Sequence, residues 1–363
     1  MKIGIIRTSS IGDVVLATAV LEFLRLTDEA INVVWVGREP VLSLIAAGRK
    51  NVETLDLPSR ASRQVVQATI DALKTCDVVI DLQTTFRTKQ LLRRLSQLNV
   101  AVVSADKQKW QRLKLVCKAR LRGRFAPLNS NDIGGNEFQF EMMRDAAVRG
   151  MARAGIMASS ATKAATPRLI RESFQLTDET WHRELSFGSW IALAPGASHQ
   201  TKRAPVEVMS QVVKYLSSTK LGGSAGIVFL GGAEDRAAAL EFLDVTPWQG
   251  PVLNLAGKLT LAQTTSILAK VQGLLCNDSG LAHIAEAVGT PVAVLFGPTI
   301  EAFGFSPRDP RSRAFSSNIG CRPCSKHGKS RCRYGDKLCF LTIDTRAVAN
   351  HVLGFFAKEG VQA

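Results

Sequence analysis

Three sets of side chains in this sequence stand where they could do chemistry. The first centres on Asp13, in the stretch RTSSIGDVVLATAVLEFLR (7–25), which follows the apolar run KIGII. A carboxylate on a glycine-supported loop can take a proton from a hydroxyl, and Gly12 lets a ligand approach the backbone closely. The same residue has a plain structural use. Ser10-Ile11-Gly12-Asp13 has the spacing of a capping box, and an acid in the first turn suits the positive end of a helix dipole.

The second set suits anions. In LAPGASHQTKRAPVE (193–207), Gly196 permits a tight turn, and Ser198, Thr201 and Lys202 follow within reach of a negative group. LGGAED (230–235) offers another glycine turn with Glu234 at a helix start, where a carboxylate binds ribose hydroxyls or simply caps the helix. CNDSGLAHIAEAVGTPVAVLFGPT (276–299) gives a strand end, then Asp278-Ser279-Gly280 at a helix N-terminus, then Leu281 and His283. Free amides there make a diphosphate site, and Gly280 removes the side chain that would block a phosphate. Against this stand Asp278 as an ordinary N-cap and His283 as a half-buried helix residue. There is no G-x-G-x-x-G fingerprint and no Walker A sequence.

The third set is Cys321, Cys324, Cys332 and Cys339, spaced C-x2-C-x7-C-x6-C. Four thiols at this spacing suit a structural tetrahedral zinc, or are reduced side chains that bind nothing. Cys76, Cys117 and Cys276 lie in apolar surroundings, as small buried hydrophobes do.

These residues need elements to place them. Short Val/Ile/Leu runs at 2–7, 31–37, 76–83 and 99–105 alternate with amphipathic stretches at 13–26 and 63–74, and a long helix is expected over 136–155. Such alternation indicates a parallel sheet covered on both faces. Residues 157–167 are small and polar. A second series follows, with strands at 189–196, 225–232, 251–257, 273–278 and 291–298 and helices at 205–218, 234–243, 260–270 and 280–288. The expected organisation is an N-terminal Rossmann-like domain over 1–165, a linker region at 166–188, a second Rossmann-like domain over 189–343 and a closing helix in 344–363. Two doubly wound domains would face each other across a cleft, with ligands just outside the strand carboxyl ends.

A chain of 363 residues that is 46% hydrophobic with 21% charged residues reads as globular and two-domained. No apolar run nears the roughly 20 residues of a membrane span, and the N-terminus lacks a signal-peptide pattern, so a cytoplasmic location is expected. The formal charge of +15 points to an anionic partner. Residues 107–124, KQKWQRLKLVCKARLRGR, are rich in lysine and arginine and hold no acid; a second basic stretch runs over 308–337. On a helix, Trp110, Leu113, Cys117 and Leu121 share one face, with Lys107, Arg112, Lys114, Lys118 and Arg122 elsewhere. Nucleic acid and an anionic lipid surface both fit that charge.

Taken together and in order, SSIGDVVLATAVLEFLR, VIDLQTTFRTKQL, APGASHQTKR, LGGAED, LNLAGKLTLAQ and NDSGLAHIAEAVGTPVAVLFGPT resemble the family 9 glycosyltransferases, the ADP-heptose:lipopolysaccharide heptosyltransferases. The resemblance implies the GT-B fold, with the acceptor on the N-terminal domain and the nucleotide sugar on the C-terminal one. It implies inverting, metal-independent transfer of heptose from ADP-heptose to the lipopolysaccharide inner core, Kdo-lipid A or its heptosylated form. Asp13 would be the general base. Lys202 and the amides around Ser279, Gly280 and Leu281 would receive the leaving ADP; Asp278 and His283 would line the donor pocket with Gly196, Ser198 and Thr201, and Glu234 would hold the ribose. Ser10, Gly12, Arg87, Lys114, Lys118 and Arg120 would face the acceptor. The basic segment then suits the anionic surface of a Gram-negative inner membrane, reached from its cytoplasmic face, and not nucleic acid. The chain departs from the family in Lys202-Arg203-Ala204-Pro205, which lacks the aromatic often found after the donor lysine. Other readings are a relative with another nucleotide sugar or acceptor, a GT-B nucleotide-sugar epimerase and, last, a non-catalytic anion-binding protein.

Overall fold

The computed structural model describes residues 1–106, 109–128, 138–157, 165–175, 179–186, 188–328 and 331–357. Lys107, most of 157–167, part of the 166–188 linker and the chain beyond residue 357 lie outside the described residues. The chain divides into two compact units. One comprises Met1–Gln108 with Phe138–Ser173, the other Lys109–Glu137 with Phe174–Ala363. Residues 109–128, expected inside the first domain, therefore group with the second unit. The contacts explain why: Arg112 donates to the Phe303 carbonyl at 3.2 Å, Gly320 N–H to the Arg124 carbonyl at 3.0 Å, and Leu128 N–H to Asn318 Oδ1 at 2.6 Å.

In the first unit β1 (Lys2–Ile6), β2 (Asn32–Gly37), β3 (Val52–Asp56), β4 (Val78–Asp81) and β5 (Ala101–Ser104) form a sheet in the order β3-β2-β1-β4-β5, every pair parallel. Apart from Lys2, β1 and β4 are buried on both faces, as strands sandwiched between helices must be, and six of their nine residues are Val or Ile. The expected helix 13–26 is broken at Ala17 into Ile11–Leu16 and Thr18–Thr27.

The second unit repeats the plan. β6 (Ser189–Ala194), β7 (Ala225–Phe229), β8 (Val252–Asn254), β9 (Gly273–Asn277), β10 (Val292–Phe296) and β11 (Arg313–Ser316) run parallel in the order β11-β10-β9-β6-β7-β8. Its core joins strand residues such as Ile191, Phe229 and Leu295 to Val212, Phe242, Phe340 and Val352 from the covering helices. The closing helix is Thr345–Gly354, shorter than expected, with Asp344 accepting from Ala347 N–H as its N-cap.

Strand order reverses once in each sheet, between β1 and β4 and between β6 and β9. At such a switch point the loops leaving the two strands diverge and open a crevice at their carboxyl ends. Asp13 follows β1, Lys202 follows β6 and Ser279 follows β9.

Candidate active site

The loop after β1 is held by the loop after β4. Gln83 Oε1 accepts from the backbone N–H groups of Thr8 (3.0 Å) and Ser9 (3.2 Å). Gln83 is itself fixed by Asp81, whose carboxylate accepts from Gln83 N–H (2.8 Å), Thr84 N–H (2.9 Å) and the Thr88 hydroxyl (2.7 Å). Arg7, 4% exposed, donates to the Leu82 carbonyl and places its other terminal nitrogen 2.8 Å from Asp13 Oδ1. Gln139 reaches the same oxygen at 2.9 Å from the helix Phe138–Arg153.

Asp13 Oδ2 takes the other half of the arrangement, accepting from Ser10 N–H at 3.1 Å and Ser10 Oγ–H at 2.8 Å. The acid thus closes back on its own helix start while also meeting a buried guanidinium. A cap alone would need only Ser10. A buried arginine aimed at the far oxygen fixes the carboxylate's orientation as well. Gly12 is buried beneath this turn, and Ser10 stands at its exposed rim. Arg87 leans the other way: its guanidinium donates to the carbonyls of Pro58 and Ser59 (3.1 Å to the latter), and burial beside Arg38 holds its pKa below the ordinary value.

In the second unit Asn277, fully buried at the end of β9, joins the two loops. Its Oδ1 accepts from Ala204 N–H (3.1 Å) and its Nδ2 donates to the Pro195 carbonyl (2.6 Å). That tie sets Lys202, whose ammonium lies 2.6 Å from Asp278 Oδ2; the Thr299 hydroxyl donates to the same oxygen at 2.7 Å. The turn at Gly328, with φ +74° and therefore suited to glycine, rests against the Lys202 stem and accepts the Thr201 hydroxyl. Ser279 is the N-cap of the helix Gly280–Ala287, yet its hydroxyl makes no cap bond and is buried without a partner. A buried donor left unpaired at a helix N-terminus is what an anion site offers before its ligand arrives. Leu281 is half-buried there, and His283, buried, lies with its ring 6.2 Å from that of Phe305.

A carbon added at Gly196 would fall 2.2 Å from the carboxyl atoms of Asp235, so only glycine lets the two loops pass. Asp235 accepts from Gly232 N–H at 2.9 Å and lies 3.1 Å from Arg203, while burial pushes its pKa up. Glu234 and Ser198 are exposed.

The family model for glycosyltransferase family 9 (heptosyltransferase) matches residues 159–334. Over 116 residues, 31% of this chain and 32% of the other, the sequence is 33% identical to lipopolysaccharide heptosyltransferase 2 of Escherichia coli K12. The chain is similar to glycosyltransferase family 9 over just under half of its length. The fold agrees: the structure of E. coli ADP-heptose lipopolysaccharide heptosyltransferase II is similar with a TM-score of 0.64 at 18% identity, covering 98% of both chains. E. coli heptosyltransferase WaaC with ADP is similar at 0.63 and 18%, covering 98% of this chain and 100% of that one. The fold is GT-B, with two Rossmann-like units. In sequence, the chain spans about a third of the length of the curated heptosyltransferase 2 proteins it matches.

The residues expected near the donor divide into two groups. Lys202, Asp278, Ser279, Gly280 and Leu281 gather at the β6–β9 switch point, with Gly196 and Thr201 supporting their loop. Glu234 points to solvent, and its neighbour Asp235 does the local work. Lys114, Lys118 and Arg120 are exposed on the helix Lys109–Leu121, which belongs to the second unit. Among the residues that escaped the sequence reading are Arg7, Asp81, Gln83, Gln139, Asp235, Asn277, Thr299 and Phe305. The Phe305 ring lies 5.9 Å from the Lys202 ammonium, so an aromatic reaches the lysine from a different loop than the one expected to carry it. A signal for Arg7 existed, since a charge at the carboxyl end of an otherwise apolar strand needs a partner.

The four clustered cysteines line one cavity of about 320 Å³ together with Arg124, Tyr334 and Asp336. Among the described residues no three His, Cys, Asp or Glu side chains converge to hold a metal ion, so the zinc expectation gains no support. The Cys321 thiol is instead drawn down to about 7 by the Cys324 thiol beside it and by Arg124, against the effect of burial. Burial pushes Cys339 up to about 12.

Proposed function

We propose that this chain is an inverting glycosyltransferase that moves heptose from ADP-heptose to the lipopolysaccharide inner core, with Kdo-lipid A or heptosyl-Kdo-lipid A as acceptor. The reaction takes place at the cytoplasmic face of a Gram-negative inner membrane, to which the chain binds peripherally. Among the described residues no helix is long and apolar enough to cross a membrane. The observation that carries the reading is the Asp13 carboxylate, fixed by a buried arginine at the end of β1.

The acceptor hydroxyl gives its proton to Asp13 as its oxygen attacks the anomeric carbon. The bond from that carbon to the diphosphate breaks on the opposite face, and ADP leaves. Lys202 and the amides at Ser279, Gly280 and Leu281 take up the charge that builds on the departing phosphate. The Asp13 carboxylate already accepts from Arg7, Gln139 and twice from Ser10, about as many bonds as its lone pairs allow. One donor must yield to the substrate, and the Ser10 hydroxyl, free to rotate, costs least to move. Likewise a phosphate draws Lys202 from Asp278, which keeps the Thr299 bond.

The test is an assay of ADP release over a small panel of donors and acceptors. Release with ADP-heptose and a core acceptor together, unchanged by a chelator of divalent cations, is expected. Release with another nucleotide sugar, or donor turnover without acceptor, overturns the reading.

A further inference from the structure

The helix Lys109–Leu121 has two unlike sides. Its inward row is Arg112, Val116 and Ala119, exposed by 6%, 5% and 2%. The Arg112 guanidinium lies 5.7 Å and 5.8 Å from the rings of Phe303 and Phe305 and bonds the Phe303 carbonyl, so a cation takes the place of an apolar anchor. The outward row is the apolar one. Trp110 is 78% exposed, Leu113 37% and Leu121 90%; Cys117 between them is exposed, and Phe125, just past the helix end, is 81% exposed. At 100° per residue Lys114 and Lys118 fall on one flank of this row and Arg120 on the other, all exposed. The helix surface thus turns inside out relative to the usual pattern, in which the apolar stripe faces the core.

We propose that this face docks on an anionic lipid bilayer, with Trp110, Leu113 and Leu121 entering the headgroup boundary and Lys114, Lys118 and Arg120 lying among acidic headgroups. The inference deepens the proposed transfer and rests on it for its purpose, since the acceptor is a lipid. Charge selects this occupant over others. A second copy would set one acid-free basic face against its twin, and like charges repel. Nucleic acid satisfies the cations but gains little from Leu113 and Leu121. A bilayer with acidic headgroups uses both the cations and the apolar row.

The test is co-sedimentation of the full chain with vesicles of phosphatidylcholine alone and of phosphatidylcholine with phosphatidylglycerol. Binding to the anionic vesicles only is expected, weakened by salt. The W110S/L121S variant should lose about tenfold in vesicle affinity while its affinity for ADP stays unchanged. Equal binding of variant and parent, no binding of the parent, or binding to duplex DNA that survives W110S/L121S would each overturn the inference. So would a self-association that the double substitution abolishes. Transfer to a soluble, delipidated core acceptor reads the proposed chemistry separately: its persistence beside failed vesicle binding leaves that reading standing, and its absence beside intact binding removes that reading alone.

Discussion

At the end of β1 the first unit sets a carboxylate, Asp13, against a buried guanidinium; after β6 the second unit sets an ammonium, Lys202, against a buried carboxylate, Asp278. Each pair stands at the switch point of a parallel sheet. Each is positioned by an amide side chain from the neighbouring strand end, Gln83 in one unit and Asn277 in the other, that ties the two diverging loops. The scaffold is the same and the more accessible member of the pair has the opposite sign. Under the proposed function, one unit would supply the proton acceptor and the other the anion receptor that transfer from a nucleoside diphosphate needs.

The comparison breaks most visibly at the two more accessible members. Asp13→Asn should slow transfer by about 100- to 10,000-fold with ADP affinity unchanged. It keeps an acceptor for the buried Arg7 but no charge, so a stability loss of about 1–3 kcal/mol should appear in denaturant unfolding. Lys202→Met should do the reverse, lowering ADP affinity by about 10- to 100-fold in a direct binding titration. The partners sharpen the contrast at smaller scale. Asn277→Ala leaves two backbone groups unpaired in a dry site and should cost about 2–3 kcal/mol. Gln83→Ala, at a less enclosed place, should cost about 1–2 kcal/mol by the same measurement.

The smallest effect lies in a feature that the first unit lacks. Because the folded Cys321 thiol sits near 7, iodoacetamide should label it rapidly at mildly alkaline pH and slowly below about pH 6, where the thiol is protonated. Cys339, near 12, should stay unlabelled across that range. Uniform labelling of the four would remove the distinction.

Much of this was legible in the sequence because fully buried parallel strands are chemically monotonous. β1, β4, β6, β9 and β10 announce themselves as Val/Ile/Leu runs, and the loops that follow them are where glycine, Asp13, Lys202 and Ser279 stand. Two of the four edge strands were not legible. β3, Val-Glu-Thr-Leu-Asp, and β11, Arg-Ala-Phe-Ser, alternate with solvent and are too short to show a period. In the segment 107–124 the exposed apolar row was legible, but the burial of Arg112 was not. Arg112 lies against the Phe303 carbonyl and two aromatic faces from a loop far away in sequence, a partnership that helical spacing does not announce. Glu234 and Asp235 likewise differ only in which of two adjacent carboxylates fits beneath Gly196, and no spacing rule decides that.

The most direct test of Asp13 as the base is the pH dependence of kcat/KM in the parent and in Asp13→Asn. The account predicts that the parent loses activity on the acid side through one ionisation, and that the much slower variant shows no such limb. An acid limb that persists in the variant, or a variant that transfers at the parent's rate, would leave Asp13 as a helix cap and nothing more.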